Sequence, residues 1–269
     1  MMNKKPEISV IMAVYNCQDT VAEAIDSILN QTCQDFEFII CDDCSSDKTY
    51  EIVCEYAKRY PEQIKVLRNE RNSKLAYALN HCLQHVQGKY VARMDGDDIS
   101  VPDRLQKQSD FLEKNTEFSL VGSAISFFDN NGDWGKDIKK AIPNKYDLLK
   151  SGTFNHATIM MKKEAYEAIG YYTDLPRTLR CEDVDLWFKF FAKAFVGYNT
   201  SEILYRVRLD ESGMKRRTFA LRLNSIKTRI AGYQLLNFPW YCYFFILKPF
   251  IAGLIPNSLM LIYHKLKLR

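Results

Sequence analysis

The sequence predicts an α/β protein with a mostly parallel sheet that is flanked by helices. In the first 115 residues, short runs rich in β-branched and aromatic residues alternate with segments of helical periodicity. Strands that alternate with helices of about 10–15 residues are typical of parallel βαβ units. Polar clusters follow three of these strands, and in open parallel sheets ligands bind beyond the carboxyl ends of the strands. We therefore expect a ligand site along one edge of the sheet.

The predicted elements of this half follow one another in regular order. The strands are 8–14, 36–41, 64–67 and 90–94, and the helices are 21–29, 49–60, 75–86 and 103–114. Apolar residues recur at helical spacing in the first helix, where Asp19 or Thr20 can cap the amino terminus. Pro102 suits the entry to the fourth helix. Each strand is thus followed by a helix that can return the chain to a parallel neighbour.

The second half of the chain is less regular. A strand is expected over 118–128, a turn rich in Gly, Asn and Asp over 129–135, and helices over 163–169 and 182–195. No internal repeat or low-complexity run is present in the sequence. We expect this half to complete the domain that the first half begins.

Three carboxylates crowd the end of the fourth predicted strand, in Asp95-Gly-Asp-Asp98. At a strand exit the side chains of such a cluster can converge, and their mutual repulsion then favours a bound cation. A hard divalent ion held by few protein ligands has positions open for phosphate oxygens. Taken alone, such a triplet is more often a solvated turn than a metal site. Asp42 and Asp43 lie at the end of another strand, and this second acidic cluster favours a metal site over a solvated turn.

Other features narrow the class of protein. Neither a G-x-G-x-x-G segment nor a Walker-type lysine loop is present, which disfavours the usual dinucleotide and ATP folds. The eight cysteines are scattered and show no zinc-like spacing, which is typical of structural thiols in a reducing compartment. The amino terminus leads into the first strand without the apolar stretch of a signal peptide. We therefore expect a cytoplasmic protein.

Charge is distributed unevenly along the chain, whose net charge is +4. Residues 212–269 contain ten of the 37 Lys/Arg and no Asp or Glu, so that residues 1–211 are acidic. Three apolar runs, 240–247, 250–255 and 258–263, lie in this basic tail, each shorter than the ~20 residues that a membrane-spanning helix needs. The pattern favours a segment that lies in the surface of an anionic membrane over one that binds nucleic acid. Core or oligomer packing, and a span across all three runs, remain alternatives.

Seven ordered motifs resemble the family 2 glycosyltransferases, which are inverting enzymes of the glycosyltransferase-A fold. The resemblance covers roughly residues 7–212. The motifs are ISVIMAVYN (8–16), SILNQT (27–32), FIICDDCSSD (38–47), RMDGDD (93–98), PDRL (102–105), CEDVDLW (181–187) and LYRV (204–207). The resemblance implies a Rossmann-like nucleotide-binding sheet and a nucleotide-sugar donor, with a UDP-sugar as the expected choice. It also implies a divalent cation, Mn²⁺ or Mg²⁺.

The same resemblance implies roles for particular residues. Val14 and Tyr15 would flank the base, Asp43 would hydrogen-bond it, and Asp95 would contact the ribose or the metal shell. Asp97 would be the metal ligand. Asp183 would be the general base that takes the proton from the attacking hydroxyl.

Four further residues are expected to support the site: Glu182, His156, Arg93 and Arg208. For His156, a structural role with a bond to the backbone is equally compatible with the sequence. Two departures from the family pattern stand out. Lys74 occupies a position where the family often has glycine, and Arg208 one where it often has histidine. Arginine keeps its charge and cannot ligate metal, but it can bind phosphates.

We accordingly expect a catalytic domain over residues 1–212, with its nucleotide and metal half at about 1–115 and its acceptor half at about 116–212. The extension over 213–269 is expected to associate with the membrane, which places the protein on the inner face of the cell membrane. The expected reaction adds one sugar to a glycan acceptor in bacterial polysaccharide, O-antigen or capsule assembly, with a polyprenyl-linked glycan as the expected acceptor. The alternatives are a sugar-nucleotide pyrophosphorylase and a catalytically silent scaffold with the same fold.

Overall fold

The computed structural model describes residues 5–150, 152–208 and 219–246. Within these ranges the strands are β1 (Ile8–Val14), β2 (Phe36–Asp42), β3 (Ile64–Arg68), β4 (Tyr90–Asp95), β5 (Ile99–Ser100), β6 (Leu120–Asp129), β7 (Gly132–Asp137), β8 (Met160–Lys162) and β9 (Gly197–Arg208). The α-helices are α1 (Val21–Leu29), α2 (Thr49–Arg59), α3 (Lys74–Leu83), α4 (Arg104–Lys114), α5 (Lys163–Ile169), α6 (Glu182–Ala192) and α7 (Phe219–Leu235). Short 3-10 helices cover Lys145–Leu149, His156–Thr158, Pro176–Thr178 and Trp240–Ile246.

The predicted parallel half of the sheet is confirmed. β1 lies between β2 and β4, β3 extends the sheet beyond β2, and all three pairings are parallel. The register sets Val14 opposite Asp42, and Ala13 opposite Asp95. Because these pairs lie at the carboxyl ends of their strands, the polar residues that follow β1, β2 and β4 meet at one edge, as expected from the sequence.

The second half adds strands of both directions to the sheet. The order within the described residues is β3-β2-β1-β4-β8-β6-β9-β5, with β7 paired to β6. β8 runs antiparallel to both β4 and β6, whereas β9 runs parallel to β6. Short β5, which directly follows the acidic cluster, pairs with β9. The end of β9 is thereby brought to the acidic cluster.

The turn predicted over 129–135 is wrong in its extent, because β7 begins at Gly132 and forms a hairpin with β6. Trp134 stacks on Phe127 with ring centroids 5.2 Å apart, so an aromatic side chain holds the returning strand against β6. The helix predicted over 182–195 ends earlier, at Ala192. The backbone of Ala194 has φ of 56°, a left-handed conformation that cannot continue an α-helix.

Two hydrophobic clusters cover the two faces of the sheet. In β1 the side chains of Val10 and Met12 belong to one cluster and that of Ile11 to the other, as the period of two along a strand requires. α1, α2 and α4 supply the cluster that contains Val10, and α3, α5 and α6 supply the other. All three β1 side chains are fully buried, and each such burial contributes about 1.5–3 kcal/mol.

The described part of the predicted extension packs on α6. In α7, a Cβ on Gly232 would lie 2.2 Å from ring atoms of Phe188, so glycine lets the two helices approach closely. Tyr233 packs edge-on against the same ring at 5.7 Å. No helix in the described ranges is both long enough and apolar enough to cross a membrane. The predicted apolar runs over 250–255 and 258–263 lie outside the described residues.

Candidate active site

Asp43 connects the carboxyl end of β1 to the start of α3. Its backbone N–H donates to the carbonyl oxygen of Val14 at 2.9 Å, while its buried carboxylate accepts bonds of 2.8 Å from Asn69 Nδ2 and from the backbone N–H groups of Ser73 and Lys74. Oδ1 carries two of these bonds and Oδ2 carries one. A carboxylate has about four acceptor positions, so Asp43 retains acceptor capacity for a ligand.

Lys74, which stands where the family often has glycine, adopts the backbone conformation that favours glycine. Its φ is 74°, and its N–H still reaches Asp43 in this conformation. Its ammonium group donates to Asn72 Oδ1 at 2.9 Å. Lys74 thus adopts a glycine-like conformation here, at a cost of about 1–2 kcal/mol for a left-handed non-glycine residue.

Tyr15 lies beside Asp43 with its side chain open to solvent. It is 48% exposed, although it directly follows the buried Val14. The next residue, Asn16, holds the loop in place: its N–H donates to Ser45 Oγ at 3.0 Å and its Oδ1 accepts from the N–H of Ser46 at 2.9 Å. An exposed ring on a rigid turn, next to a carboxylate with acceptor capacity, offers both stacking and hydrogen bonding to a base.

The acidic cluster contains a buried cation. The Arg93 guanidinium binds Asp95 in bidentate fashion, with Nη1 2.8 Å from Oδ2 and Nη2 2.5 Å from Oδ1. Tyr205 Oη accepts a bond of 3.0 Å from the N–H of Asp95. Arg93 and Asp95 are two residues apart on β4, so their side chains share one face of the strand. Asp95 is therefore neutralised within the protein.

The other two carboxylates of the cluster differ from each other. The buried Asp98 accepts a bond of 2.8 Å from the N–H of Arg208 through Oδ1. Burial, together with the charges of Asp95 and Asp97, raises the pKa of Asp98 well above its usual range. Desolvation by the surrounding protein and then the charge of Asp95 raise the pKa of Asp97 to about 6, although its side chain is open to a ligand. The ionised form of Asp97 is thus less favoured than that of a free carboxylate, and a bound cation would stabilise it.

This arrangement fits a divalent cation only in part. No group of three His, Cys, Asp or Glu side chains within the described ranges could hold a metal ion by itself. Asp95 is paired with Arg93, and Asp98 is buried, so Asp97 is the carboxylate of this cluster that is open to a metal ion. The residues therefore fit an ion that takes one protein ligand and completes its coordination with phosphate oxygens and water.

Arg208 joins the end of β9 to the acidic cluster. Its Nε donates to the carbonyl oxygen of Asp97 at 3.1 Å, and Nη2 pairs with the carboxylate of Glu23 in α1. The guanidinium carbon lies 4.5 Å from the centre of the Phe128 ring. Arg208 is therefore part of the wall of this site.

On the acceptor side, Asp183 lies in the first turn of α6 and is half-buried. Burial raises its pKa, which Arg93 partly offsets. Glu182, its neighbour, is buried and accepts a bond of 3.1 Å from the N–H of Arg180. Asp185 instead pairs with Arg177 at 2.6 Å, which is a structural contact. Asp183 is thus the carboxylate of this helix turn that suits a base.

His156 packs on the acceptor side of the site and is close enough to Arg93 to be affected by its charge. One ring nitrogen, Nε2, is 2.7 Å from Tyr172 Oη, and the imidazole packs edge-on against Trp187, one turn after Asp183 in α6. Burial and then the charge of Arg93 lower the pKa of His156 well below its usual range, so the ring is neutral. The same Arg93 that pairs with Asp95 thus also acts electrostatically on His156 and Asp183.

Several site residues were missed by the sequence reasoning: Glu23, Asn69, Tyr172 and Tyr205. Each contacts a predicted residue that is distant in the chain, such as Tyr205 with Asp95. Asn69 had a recoverable signal, because it directly follows β3 at the sheet edge where the other polar residues collect. Glu23 had none, because a glutamate in the first turn of a helix is common.

The sequence profile described as glycosyl transferase family 2 matches residues 9–170. A relative from Bacillus subtilis, the putative glycosyltransferase EpsE, is 43% identical over 98% of this chain and 95% of its own length. WfgD of Escherichia coli is 29% identical over 79% of this chain and 81% of its own. Its name is UDP-Glc:alpha-D-GlcNAc-diphosphoundecaprenol beta-1,3-glucosyltransferase.

Two solved structures share the fold. TarS 1–349 of S. aureus in complex with UDP-GlcNAc has a TM-score of 0.67 at 20% identity, covering 83% of this chain and 66% of that one. The mannosyltransferase PcManGT of Pyrobaculum calidifontis, in complex with GDP-Man and Mn²⁺, has a TM-score of 0.61 at 18% identity, covering 97% and 80%. The predicted glycosyltransferase-A-like fold is confirmed by this likeness. The profile match and the 43% identity to EpsE show that this chain belongs to glycosyl transferase family 2.

Proposed function

We propose that the protein is an inverting glycosyltransferase that moves one sugar from a UDP-sugar to a hydroxyl group of a lipid-linked glycan. The observation that carries the proposal is that Asp43 and Asp97 follow strands that end at one edge of the sheet. Arg93, which pairs with Asp95 on β4, also acts electrostatically on Asp183. Two proteins similar to this chain support the donor class, since TarS is bound to UDP-GlcNAc and WfgD is named for UDP-Glc. The name of WfgD also supports a diphosphoundecaprenol-linked acceptor in bacterial polysaccharide assembly.

Each residue has a defined task in this proposal. Tyr15 stacks on the uracil, while Asp43 accepts a hydrogen bond from it and Val14 closes the edge of that pocket. Asp95, oriented by Arg93, accepts from the ribose. Asp97 would hold Mn²⁺ or Mg²⁺, and the bound divalent cation would neutralise charge on the departing nucleoside diphosphate. The Mn²⁺ in PcManGT supports this choice of ion.

Asp183 removes the proton from the attacking hydroxyl, and that oxygen displaces the diphosphate at the anomeric carbon. A direct displacement needs no carboxylate nucleophile and inverts the anomeric configuration. Glu182 holds the loop before α6 through its bond to the N–H of Arg180. His156, neutral and bonded to Tyr172, borders the space between donor and acceptor.

A donor panel tests this proposal. The purified protein with Mn²⁺ is incubated with UDP- and GDP-sugars and an undecaprenyl-diphosphate-linked acceptor, and the products are read by mass spectrometry. We expect transfer from a UDP-sugar, loss of transfer in Asp183→Asn, and normal transfer in Asp174→Asn, which changes a nearby exposed carboxylate. The absence of transfer from every donor would contradict the proposal. Formation of a UDP-sugar from UTP and a sugar 1-phosphate would indicate a pyrophosphorylase instead.

We also propose that the protein lies at the inner face of the cell membrane through its extension. In the 3-10 helix Trp240–Ile246, the side chains of Cys242 and Ile246 are buried, whereas Trp240, Tyr241 and Phe244 are 75%, 55% and 63% exposed. Interfacial aromatic residues next to basic residues suit an anionic lipid surface, and residues 212–269 contain no acidic residue.

Sedimentation with vesicles tests the membrane proposal. We expect binding to phosphatidylglycerol vesicles, little binding to phosphatidylcholine vesicles, and weaker binding by the double variant Trp240→Ala/Phe244→Ala. Tyr60→Ala, which changes an exposed aromatic residue after α2, is the matched control. Equal binding by the double variant and the wild type would contradict a role for these aromatic residues.

A further inference from the structure

We infer that Arg208 is a second cation for the diphosphate of the donor, and that Glu23 holds it until the donor arrives. The inference rests on the proposed function, because it takes the ligand at Asp97 to be a nucleoside diphosphate. Arg208 cannot ligate a metal ion, so its role at this position would be to bind phosphate.

The position of Arg208 is fixed by two bonds to the acidic cluster. Its backbone N–H donates to Asp98 Oδ1 at 2.8 Å, and its Nε donates to the carbonyl oxygen of Asp97 at 3.1 Å. The guanidinium therefore lies against the backbone of the residue that we propose as the metal ligand. A diphosphate that reaches the carboxylate of Asp97 also reaches this cation.

Arg208 differs from the other arginines around the site in its availability. The Arg93 side chain is 5% exposed and both of its terminal nitrogens bind Asp95. Arg206 is held at the outer hairpin by Asp133, at 2.7 Å. The side chain of Arg208 is 24% exposed, and no described residue accepts a hydrogen bond from its Nη1. Among the described residues, Arg208 thus combines access to solvent with a donor, Nη1, that is not used.

A phosphate can replace Glu23 as the partner of Arg208 Nη2. Glu23 belongs to the first turn of α1 and its side chain is 56% exposed, so water solvates it well when it is released. An exposed carboxylate binds arginine weakly, whereas a diphosphate carries more charge and accepts bidentate bonds. Packing on Phe128 keeps the guanidinium plane in place while its partner changes. Glu23 accordingly competes with the donor for Arg208.

Isothermal titration with UDP tests this competition in the full-length protein, with Mn²⁺ and separately with EDTA. We expect Arg208→Gln to weaken UDP binding about tenfold in EDTA, the loss typical of one charge-assisted contact. Glutamine keeps the backbone N–H that binds Asp98. We expect Glu23→Gln to tighten UDP binding in EDTA about threefold, because the competitor is neutralised. In the double variant, the benefit of Glu23→Gln disappears, since its effect requires Arg208.

The matched control is Arg206→Gln, which removes a neighbouring guanidinium from the same Phe128 ring and should leave UDP affinity within about twofold. Arg208→Lys keeps the charge and should retain part of the affinity. If UDP binds the wild type while Arg208→Gln and Glu23→Gln both bind it equally well, the inference is overturned and the proposed function stands. If the wild type binds no UDP even with Mn²⁺, the proposed donor class fails as well.

Discussion

The buried pair of Arg93 and Asp95 supports the most quantitative prediction. Their side chains are 5% and 28% exposed, and two bonds of 2.5 and 2.8 Å join them. Arg93→Met removes the cation and leaves Asp95 beside Asp97 and Asp98 without a partner. Removing one member of a buried pair costs about 3–5 kcal/mol, and the partial exposure of Asp95 favours the lower end of this range. We expect the free energy of unfolding to fall by about 3 kcal/mol.

Urea denaturation in EDTA measures this change, and a double-mutant cycle isolates the pair. The cycle combines Arg93→Met with Asp95→Asn, and we expect a coupling free energy of at least about 2 kcal/mol. Arg59→Met is the control, because Arg59 is exposed and lies over the ring of Tyr56. Its cost should remain below about 1 kcal/mol. A coupling free energy below about 0.5 kcal/mol would refute the claim that Arg93 stabilises the acidic cluster.

Three further predictions concern the acceptor side and the turn before α3. Asp183→Asn should lower kcat by about 10²–10⁴-fold. In the wild type, kcat should fall as the pH drops below the raised pKa of Asp183, because the protonated carboxyl cannot accept the proton of the hydroxyl group. The residual activity of the variant should not show this fall. His156 has a lowered pKa when folded, so only the unfolded chain takes up its proton below about pH 6.5. The free energy of unfolding should therefore fall as the pH falls. Between pH 7.5 and 5.5, urea denaturation should show the wild type losing about 1 kcal/mol more than His156→Gln. Equal losses would contradict a buried, neutral His156 ring. Lys74→Gly should raise the free energy of unfolding by about 0.5–1 kcal/mol, because it relieves a left-handed residue at φ 74°, and a loss of stability would show that the turn is unstrained.

The parallel half of the fold was accessible from sequence because its pairing follows from local pattern. β1, β2 and β4 are short buried runs, and each leads to a helix, in the case of β4 after the short β5. Parallel registry then brings Val14, Asp42 and Asp95 to one edge. The hairpin of β6 and β7 was not accessible, since the Gly- and Asn-rich stretch before Trp134 is typical of an extended turn. The contact that decides it, Trp134 on Phe127, is a packing event between the strands.

The contacts of the site also include some that the sequence could predict and some that it could not. Arg93 and Asp95 are two residues apart on one strand, so a shared face could be predicted from β4 alone. The pairs of Glu23 with Arg208 and of His156 with Tyr172 depend on how β9, α1 and the segment before α6 meet in space. Sequence motifs identify the residue types that the chemistry needs, but they do not tell which carboxylate is neutralised by a neighbouring arginine.

In the proposed reaction, Asp97 would hold the cation that neutralises the departing nucleoside diphosphate. The most direct measurement is the rate of transfer from the selected UDP-sugar to the lipid-linked acceptor with saturating Mn²⁺, for the wild type, Asp97→Asn and Asp110→Asn. Asp110 is an exposed carboxylate on α4 and serves as the control. We predict a loss of at least about 100-fold for Asp97→Asn, as expected when the charge neutralisation of a leaving group is removed, and none for Asp110→Asn. Transfer by Asp97→Asn at the wild-type rate would contradict the account.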